Sequence, residues 1–508
     1  METDYNQTAI ITQYQSFKEF IEGYRKELHR LFRDPRNHKM VSLQRGLPPM
    51  VMRDIMKCNP LSVFILKENG GFGGNVKQCL RMLETSSYES LPLSLMMGIN
   101  GALFIQPVTR YADPYVANNI LKRFSEEQTM GGLMITEPDF GSDALHMQTN
   151  YREVEEGYQI QGVKHWAGLT GWADYWLLAA RKQKEDGTLA RDIDFFIHDT
   201  RNPGVEVEEY FDNLGLYMLP YGRNRINTRV PERHRLIPPS TGIKLLLDML
   251  HRSRLQFPGM AMGFLRRIVD DSLEHVKSRN VGNQSLFQYD QVKERLARIQ
   301  SWFTSCSAMC AYTSANAPIT KDLSMEDIPA NSIKSVITDM MQDASQSFLQ
   351  LVGAKGYTLD HMAGRGTVDS RPFQIFEGSN DILYQQIAES VLKKMRKAKI
   401  SSLYLYLKDY ELTSKASEYL KKYTDFSINA NLSQRKQVKL GQVLGYTVSM
   451  NMVIQLGERG FQSDLIRNAI DVLRAEIRKH LIAVQDIYTT EPAESIEDDG
   501  QWYGFVNK

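Results

Sequence analysis

The stretch Arg371-Pro372-Phe373-Gln374-Ile375-Phe376-Glu377-Gly378-Ser379-Asn380-Asp381-Ile382-Leu383 sets one carboxylate, Glu377, between a hydrophobic approach and a Gly-Ser-Asn turn. Burial beside Phe373, Ile375 and Phe376 penalises the charged carboxylate, so its pKa should rise toward the range useful to a general base. The turn opens an apolar-periodic segment at Ile382. Ser379 or Asn380 can cap that helix, whose first turn favours anionic oxygens. The plainer reading of Glu377 is a solvated residue at the start of a helix.

A second constellation is Thr136-Glu137-Pro138-Asp139-Phe140-Gly141-Ser142-Asp143. It offers two hydroxyls, a proline that fixes the backbone, and a glycine that permits a turn with successive N–H groups. Such a loop can hold a heteroaromatic edge or a pyrophosphate. Glu137 is the rival carboxylate to Glu377, but it precedes Pro138 inside this loop and suits a structural role. Downstream, Gln161 to Gly168 places Trp166 near a glycine at a strand end, where the indole either packs in the core or supports a flat cofactor. Glu68-Asn69-Gly70-Gly71-Phe72-Gly73-Gly74 has the glycines of a phosphate loop, but no Gly-Lys-Ser follows, so it reads as a tight turn.

These residues need elements to position them, and the periodicity supplies an α+β order. Residues 1–130 read as an N-terminal helical domain, with breaks at Asp34-Pro35-Arg36-Asn37 and Gly46-Leu47-Pro48-Pro49. Residues 131–238 read as a mostly-β domain. Its strand candidates are Tyr175 to Ala180, Phe195 to His198, Val205 to Val207 and Ile226 to Val230, and a hairpin over 151–162 takes its positive φ from Gly157. Residues 239–395 read as a four-helix-type bundle, with a long helix bent at Pro258 and a stripe from Ile333 through Ile337, Met340, Ala344 and Phe348 to Leu351. Residues 396–508 read as an additional helical domain, striped from Ile466 to Val484, with an acidic tail at Glu497-Asp498-Asp499.

Composition excludes several classes. Sixty-one Lys plus Arg against 60 Asp plus Glu in 508 residues give a net charge of +1, so no nucleic-acid surface is indicated. Cys58, Cys79, Cys306 and Cys310 show neither metal-site spacing nor a disulfide framework, and Cys306 and Cys310 read as small buried apolar residues. No run approaches 18 uninterrupted apolar residues, so no transmembrane segment is expected. The amino terminus METDYNQTAIITQYQ lacks a basic region followed by an apolar run. A reducing, cytoplasmic setting is the expectation.

Four motifs occur in order along these textures: Thr136-Glu137-Pro138 with Gly141-Ser142-Asp143, Gly162-Val163-Lys164-His165-Trp166, Gln350-Leu351-Val352-Gly353-Ala354-Lys355-Gly356-Tyr357, and Ile375 to Leu383. In this the chain resembles the acyl-CoA dehydrogenase family over about residues 55 to 395. The resemblance implies that Glu377 removes the pro-R α-proton of an acyl thioester while the β-hydride passes to N5 of FAD. It implies that the Glu377 N–H helps polarise the thioester carbonyl. Thr136 matches the threonine at the pyrimidine edge of the flavin, Ser142 a serine on the FAD phosphates, and Trp166 the indole against the isoalloxazine. Ser379 stands where a threonine usually touches the cofactor. Arg279 matches the arginine of a loop donated across a subunit interface, and Gln350 and Gly353 match the turn under the neighbouring subunit's adenosine. Implied partners are an acyl-CoA or acyl-carrier-protein thioester, an electron-transfer flavoprotein and a second copy in a homodimer.

The departures matter as well. Gly168 replaces the usual Thr or Ser near flavin N5, and Trp166-Ala167-Gly168 is closer to the Trp-Pro-Gly of acyl-CoA oxidases; the glycine is expected to widen access to the reactive face. Val281 replaces a usual Phe in a shorter loop, and Tyr217-Met218-Leu219-Pro220 replaces an Arg-Ser-like segment after Leu214-Gly215-Leu216. The C-terminal extension is similar in position to that of long-chain members and oxidases, which are dimers. An oxidase, a non-redox flavoprotein and a monooxygenase of the same fold are the alternative readings.

Overall fold

The computed structural model describes residues 16–34, 46–429, 431–485 and 490–495. The amino-terminal stretch 1–15, the Pro35-Arg36-Asn37 part of the first break and the acidic run 497–499 lie outside the described residues.

The N-terminal helices are α1 (Phe17–Arg33), α2 (Pro49–Lys57), α3 (Val76–Glu89), α4 (Leu91–Asn100), α5 (Gln106–Tyr111) and α6 (Pro114–Glu126). Polar caps start several of them: Asn75 accepts from the Lys77 and Gln78 N–H groups, Ser90 from Leu93, and Asp113 from Tyr115 and Val116. A π-helical turn over Gly101–Ile105 joins α4 to α5. The joined run Leu91–Tyr111 has a mean hydropathy of 1.4, enough by length and composition to cross a bilayer. Within the fold, 94% of that apolar window is buried, so its faces meet other side chains.

The central sheet holds β1 (Gly131–Met134), β2 (Asn150–Val154), β3 (Gly157–His165), β4 (Tyr175–Lys182), β5 (Asp194–Asp199), β6 (Val205–Tyr210) and β7 (Gly222–Pro231). They run in the order β1-β4-β2-β3-β7-β6, with β5 paired to β4. All four expected strands and the hairpin are present, but the hairpin is built differently from expectation. The positive φ sits on Glu156 (60°), not on Gly157. Gly157 is needed for proximity, because a Cβ there would stand 2.2 Å from the Val230 carbonyl oxygen of β7.

The C-terminal half begins with α7 (Gly242–Ser278), a single helix that continues through Pro258, followed by the short ribbon β8 (Asn280–Val281) and β9 (Gln284–Ser285). Then come α8 (Asp290–Asn316), α9 (Asp327–Val352), α10 (Met362–Ser370), α11 (Asn380–Ala398), α12 (Leu403–Asp409), α13 (Ser414–Thr424), α14 (Gln434–Glu458) and α15 (Ser463–Gln485). The expected stripe of α9 is buried at Ile333, Ile337, Met340, Ala344 and Phe348, and that of α15 at Ile470, Leu473, Ile477, Leu481 and Val484. Cys306 is buried and its thiol donates to the Pro258 carbonyl at 3.3 Å, whereas Cys310 is half-buried. Helix α14 approaches α11 at Gly441, where a Cβ would lie 1.9 Å from the Tyr384 carbonyl oxygen.

Two polar joints lock the parts together. Buried Asp248 of α7 accepts from Arg110, Tyr111, Arg252 and the Leu323 N–H, tying α5 to the bundle. The Leu216 N–H donates to Asp369 of α10 at 2.6 Å, docking the β6–β7 connection on the bundle. Burial pushes the Asp369 carboxyl up to about 6.

Candidate active site

Glu377 lies just before α11, where two successive residues take left-handed backbone conformations, Glu377 at φ 55° and Gly378 at φ 92°. Left-handed backbone at a glutamate is costly unless its surroundings hold it. Here two buried cations do so. Arg254 of α7 donates from Nε and Nη2 to the Glu377 carbonyl oxygen at 3.1 and 2.8 Å, and from Nη1 to Asn331 at 2.7 Å. Lys334 of α9 donates from Nζ to the Gly378 carbonyl oxygen at 2.8 Å and to Asn380 Oδ1 at 2.9 Å. With both carbonyls held from the bundle side, the orientation of the turn is fixed.

The side chain of Glu377 is held at one oxygen only. Ser253 donates its hydroxyl to Oε1 at 2.8 Å, while Oε2 is shielded from solvent and has no partner among the described residues. The rings of Phe257, Phe373 and Phe376 stand 5.0 to 6.0 Å from one another beside it. Burial raises the Glu377 pKa, against the opposing pull of the Ser253 hydrogen bond, Arg254 and Lys334. Burial also pushes Arg254 down to about 10 and, with the Arg254 charge, Lys334 down to about 7. The solvated reading of Glu377 is thereby excluded.

The caps differ from expectation. Ser379 occupies the N-cap position of α11, yet its hydroxyl makes no cap hydrogen bond. Asn380 is the first helical residue, and its amide reaches back to the Ser335 carbonyl, Thr338 and Asp339 of α9. Ser253, Arg254, Asn331 and Lys334 were not singled out from the sequence. The available signal was polarity inside an apolar stripe: Arg254 and Lys334 sit on helices whose neighbouring turns are almost wholly buried.

On the sheet side, Thr136 is half-buried after β1, and its carbonyl accepts from the His165 N–H at 2.8 Å. Ser142 is exposed on the loop that follows. Glu137 is consumed structurally: it accepts from the Gln148 and Thr149 N–H groups at 2.5 and 2.8 Å and from Lys164 Nζ at 2.9 Å. Burial alone would raise its pKa, but Lys164 and these hydrogen bonds hold it below the ordinary range. A cavity of about 370 Å³ between this loop and the β2–β3 hairpin is lined by Glu137 to Phe140, Gln148 to Asn150 and Gln161 to Val163, and Glu377 does not line it.

Trp166 does not pack in the core. It is 54% exposed at φ 54°, with its indole 4.6 Å from the Phe211 ring and 6.2 Å from Tyr221. Gly168 does not open space as expected. A Cβ there would meet Ile99 Cδ1 at 2.7 Å, Tyr221 Cε1 at 3.4 Å and Leu219 Cδ2 at 3.6 Å, so neighbouring side chains already fill the volume. The Tyr221 phenol has its pKa raised by burial and by the Glu377 charge.

Arg279, Gln350 and Gly353 lie elsewhere, on the exposed end of α7 and α9. Arg279 follows the last residue of α7 and leads into the β8–β9 ribbon, whose Val281 is exposed. Gly353 ends α9 at φ 70°, with nothing within 4 Å of where a Cβ would be. Tyr357, four residues on, is exposed as well.

Residues 132–228 match the family model described as the acyl-CoA dehydrogenase middle domain, and residues 240–392 match its C-terminal domain. An acyl-CoA dehydrogenase from Bacillus anthracis complexed with FAD has the same fold at a TM-score of 0.73. It is 17% identical, covering 93% of this chain and 89% of that one. The mouse mitochondrial short-chain specific acyl-CoA dehydrogenase is 23% identical over 342 residues, 66% of this chain and 81% of its own length. The rat mitochondrial very long-chain specific enzyme is 24% identical over 62% of this chain and 49% of its own length. Fold and site thus define an acyl-CoA dehydrogenase-like enzyme. Over residues 132–228 and 240–392 the chain carries the middle and C-terminal domains of the acyl-CoA dehydrogenase family.

Proposed function

We propose that this protein binds FAD and uses Glu377 as the base in α,β-dehydrogenation of a saturated acyl thioester, most simply an acyl-CoA. The single observation that carries this reading is the state of the Glu377 carboxylate: Oε1 is fixed by Ser253, and Oε2 is shielded and unpartnered. An oxygen kept dry with its lone pairs free can accept a proton from a weak carbon acid, and its raised pKa increases its basicity.

The residues present suit the cofactor. The side-chain hydroxyls of Thr136, Ser142 and Ser379 make no hydrogen bond among the described residues, and the Trp166 indole is exposed. In this reading Thr136, Ser142, Trp166 and Ser379 hold the flavin, and bound FAD supplies the hydride acceptor. The chain itself would orient the thioester, exclude water with Phe257, Phe373 and Phe376, and take the α-proton at Glu377 Oε2. Arg254 and Lys334 keep the turn, and so the carboxylate, in place. Arg279, Gln350 and Gly353 are free to meet a second copy of the chain, and a homodimer is proposed on that basis.

The filled volume at Gly168 favours a dehydrogenase reoxidised by an electron-transfer flavoprotein over an oxygen-using oxidase. The test is anaerobic mixing of the FAD-loaded protein with acyl-CoAs of several lengths. Reduction that is lost in Glu377→Gln, and that persists in air until an electron acceptor protein is added, is the expected outcome. Rapid reoxidation in air with release of hydrogen peroxide would select the oxidase reading instead.

A further inference from the structure

The turn after β3 is strained at two residues that are not glycine. Trp166 is left-handed at φ 54° and Leu169 at φ 77°, whereas Gly168 between them lies outside the left-handed region. A segment that needed only to reverse direction could place glycine at both strained positions. Strain of this kind persists where the surroundings over-determine it, and here they do. Thr170, fully buried, donates its hydroxyl to the Ala167 carbonyl at 2.7 Å. Asn224 of β7, buried as well, donates its amide to the Thr170 hydroxyl oxygen at 3.1 Å. The Leu169 N–H donates to the Pro220 carbonyl at 3.0 Å, and the Leu169 carbonyl accepts from the Trp172 and Ala173 N–H groups at 2.8 and 3.1 Å. Gly222 lets β7 come this close, since a Cβ there would stand 2.8 Å from Thr170 Cγ2. The Asn224 Oδ1 is buried without a partner among the described residues, so Asn224 is kept at a cost for what its nitrogen does at Thr170. What this buried frame presents is an indole left more than half exposed.

We propose that Thr170, backed by Asn224, is a positioning residue that presets the Trp166 indole for the flavin by holding the strained turn from Trp166 to Leu169. This rests on the FAD-binding reading above. Thr170 acts through the Ala167 carbonyl and so through the backbone that carries Trp166, without touching the cofactor itself. A wall fixed before binding raises affinity because its ordering is not charged to the binding step. The hydroxyl of Thr170 serves as donor to Ala167 and acceptor from Asn224 at once, so neither partner can be dropped without loosening the other.

The test measures the rate of FAD release from the holoprotein, the long-wavelength flavin band and the urea midpoint in wild type, Thr170→Val, Thr170→Ser, Asn224→Leu, Trp166→Ala and the pair Thr170→Val/Trp166→Ala. Valine keeps the shape of threonine and removes both hydrogen bonds, so FAD release should be about 3- to 10-fold faster and the band shifted. Serine keeps both bonds and should behave as wild type. Asn224→Leu removes the unpartnered oxygen together with the amide nitrogen, so its urea midpoint should stay near that of wild type while FAD release quickens. That variant decides the matter if Thr170→Val does not fold. With Trp166 already replaced by alanine, Thr170→Val should change FAD release little, because the indole through which it acts is gone. A lowered urea midpoint with FAD release and band unchanged, or effects of Thr170→Val and Trp166→Ala that add in full, would overturn the proposal while leaving the FAD reading intact. A wild-type protein that takes up no FAD would overturn both.

Discussion

At the scale of residues, the site depends on one carboxylate that is partly satisfied and cations that serve its backbone instead of its charge. Glu377 is therefore dry without being ion-paired through its carboxylate, and this keeps it basic. Glu377→Gln preserves shape and the Ser253 contact but removes basicity, and flavin reduction by acyl-CoA should fall by about 10²- to 10⁴-fold with FAD retained. The raised pKa also carries a stability consequence. A carboxylate whose folded pKa lies above its unfolded value holds its proton more tightly in the native state, so its contribution is full below the unfolded pKa and is lost as pH rises through the folded pKa. Glu377→Gln is accordingly expected to melt at a higher temperature than wild type at neutral pH, with the difference vanishing in acid. Stopped-flow reduction of the wild type should slow on acidification at a pH above the ordinary carboxylate range, because the protonated acid cannot act as base. A rate constant flat down to that ordinary range would place the base elsewhere.

At the scale of elements, the turn before α11 is shaped by two helices distant in sequence. Arg254 comes from α7 and Lys334 from α9, and each binds a successive carbonyl of the left-handed pair. Gly378 is confined by φ 92° and by its neighbours, since a Cβ would stand 2.9 Å from Leu383 Cδ2 and 3.3 Å from Arg254 Nη2. Gly378→Ala should cost about 1–2 kcal/mol from the left-handed backbone alone, read as a lower urea midpoint. Activity should fall further than stability, because the displaced Arg254 would release the Glu377 carbonyl. A variant with wild-type midpoint and rate would mean that the turn relaxes freely.

At the scale of the whole molecule, helices α12 to α15 continue the bundle instead of hanging from it, since Gly441 of α14 lets its backbone approach the Tyr384 carbonyl of α11. The end that carries Arg279, Val281, Gly353 and Tyr357 remains exposed in the single chain. We expect a homodimer that buries this end. Sedimentation velocity at micromolar concentration should give twice the chain mass, and Arg279→Glu should weaken both dimerisation and FAD retention. A monomer that holds FAD as tightly as the dimer would show that the partner contributes nothing to the cofactor.

Much of this was legible in the sequence, and the reason is local. The α9 stripe, the α15 stripe and the strands from Tyr175 to Val230 announce themselves through period, because side-chain direction follows backbone repeat. Glu377 was legible because hydrophobic neighbours and a Gly-Ser-Asn turn are contiguous with it. What tertiary structure alone decided are relations between residues far apart in the chain. Gly157 reads as a turn residue, but the sheet uses it to admit Val230, and Glu156 takes the strained φ. Gly168 reads as an opening, but Ile99 and Tyr221 arrive from other elements to fill it. Ser253, Arg254 and Lys334 carry no local signal of a role, and only the packing of α7 and α9 against the turn gives them a target. Periodicity specifies which face of an element is buried; which atoms that face meets depends on how the elements pack together.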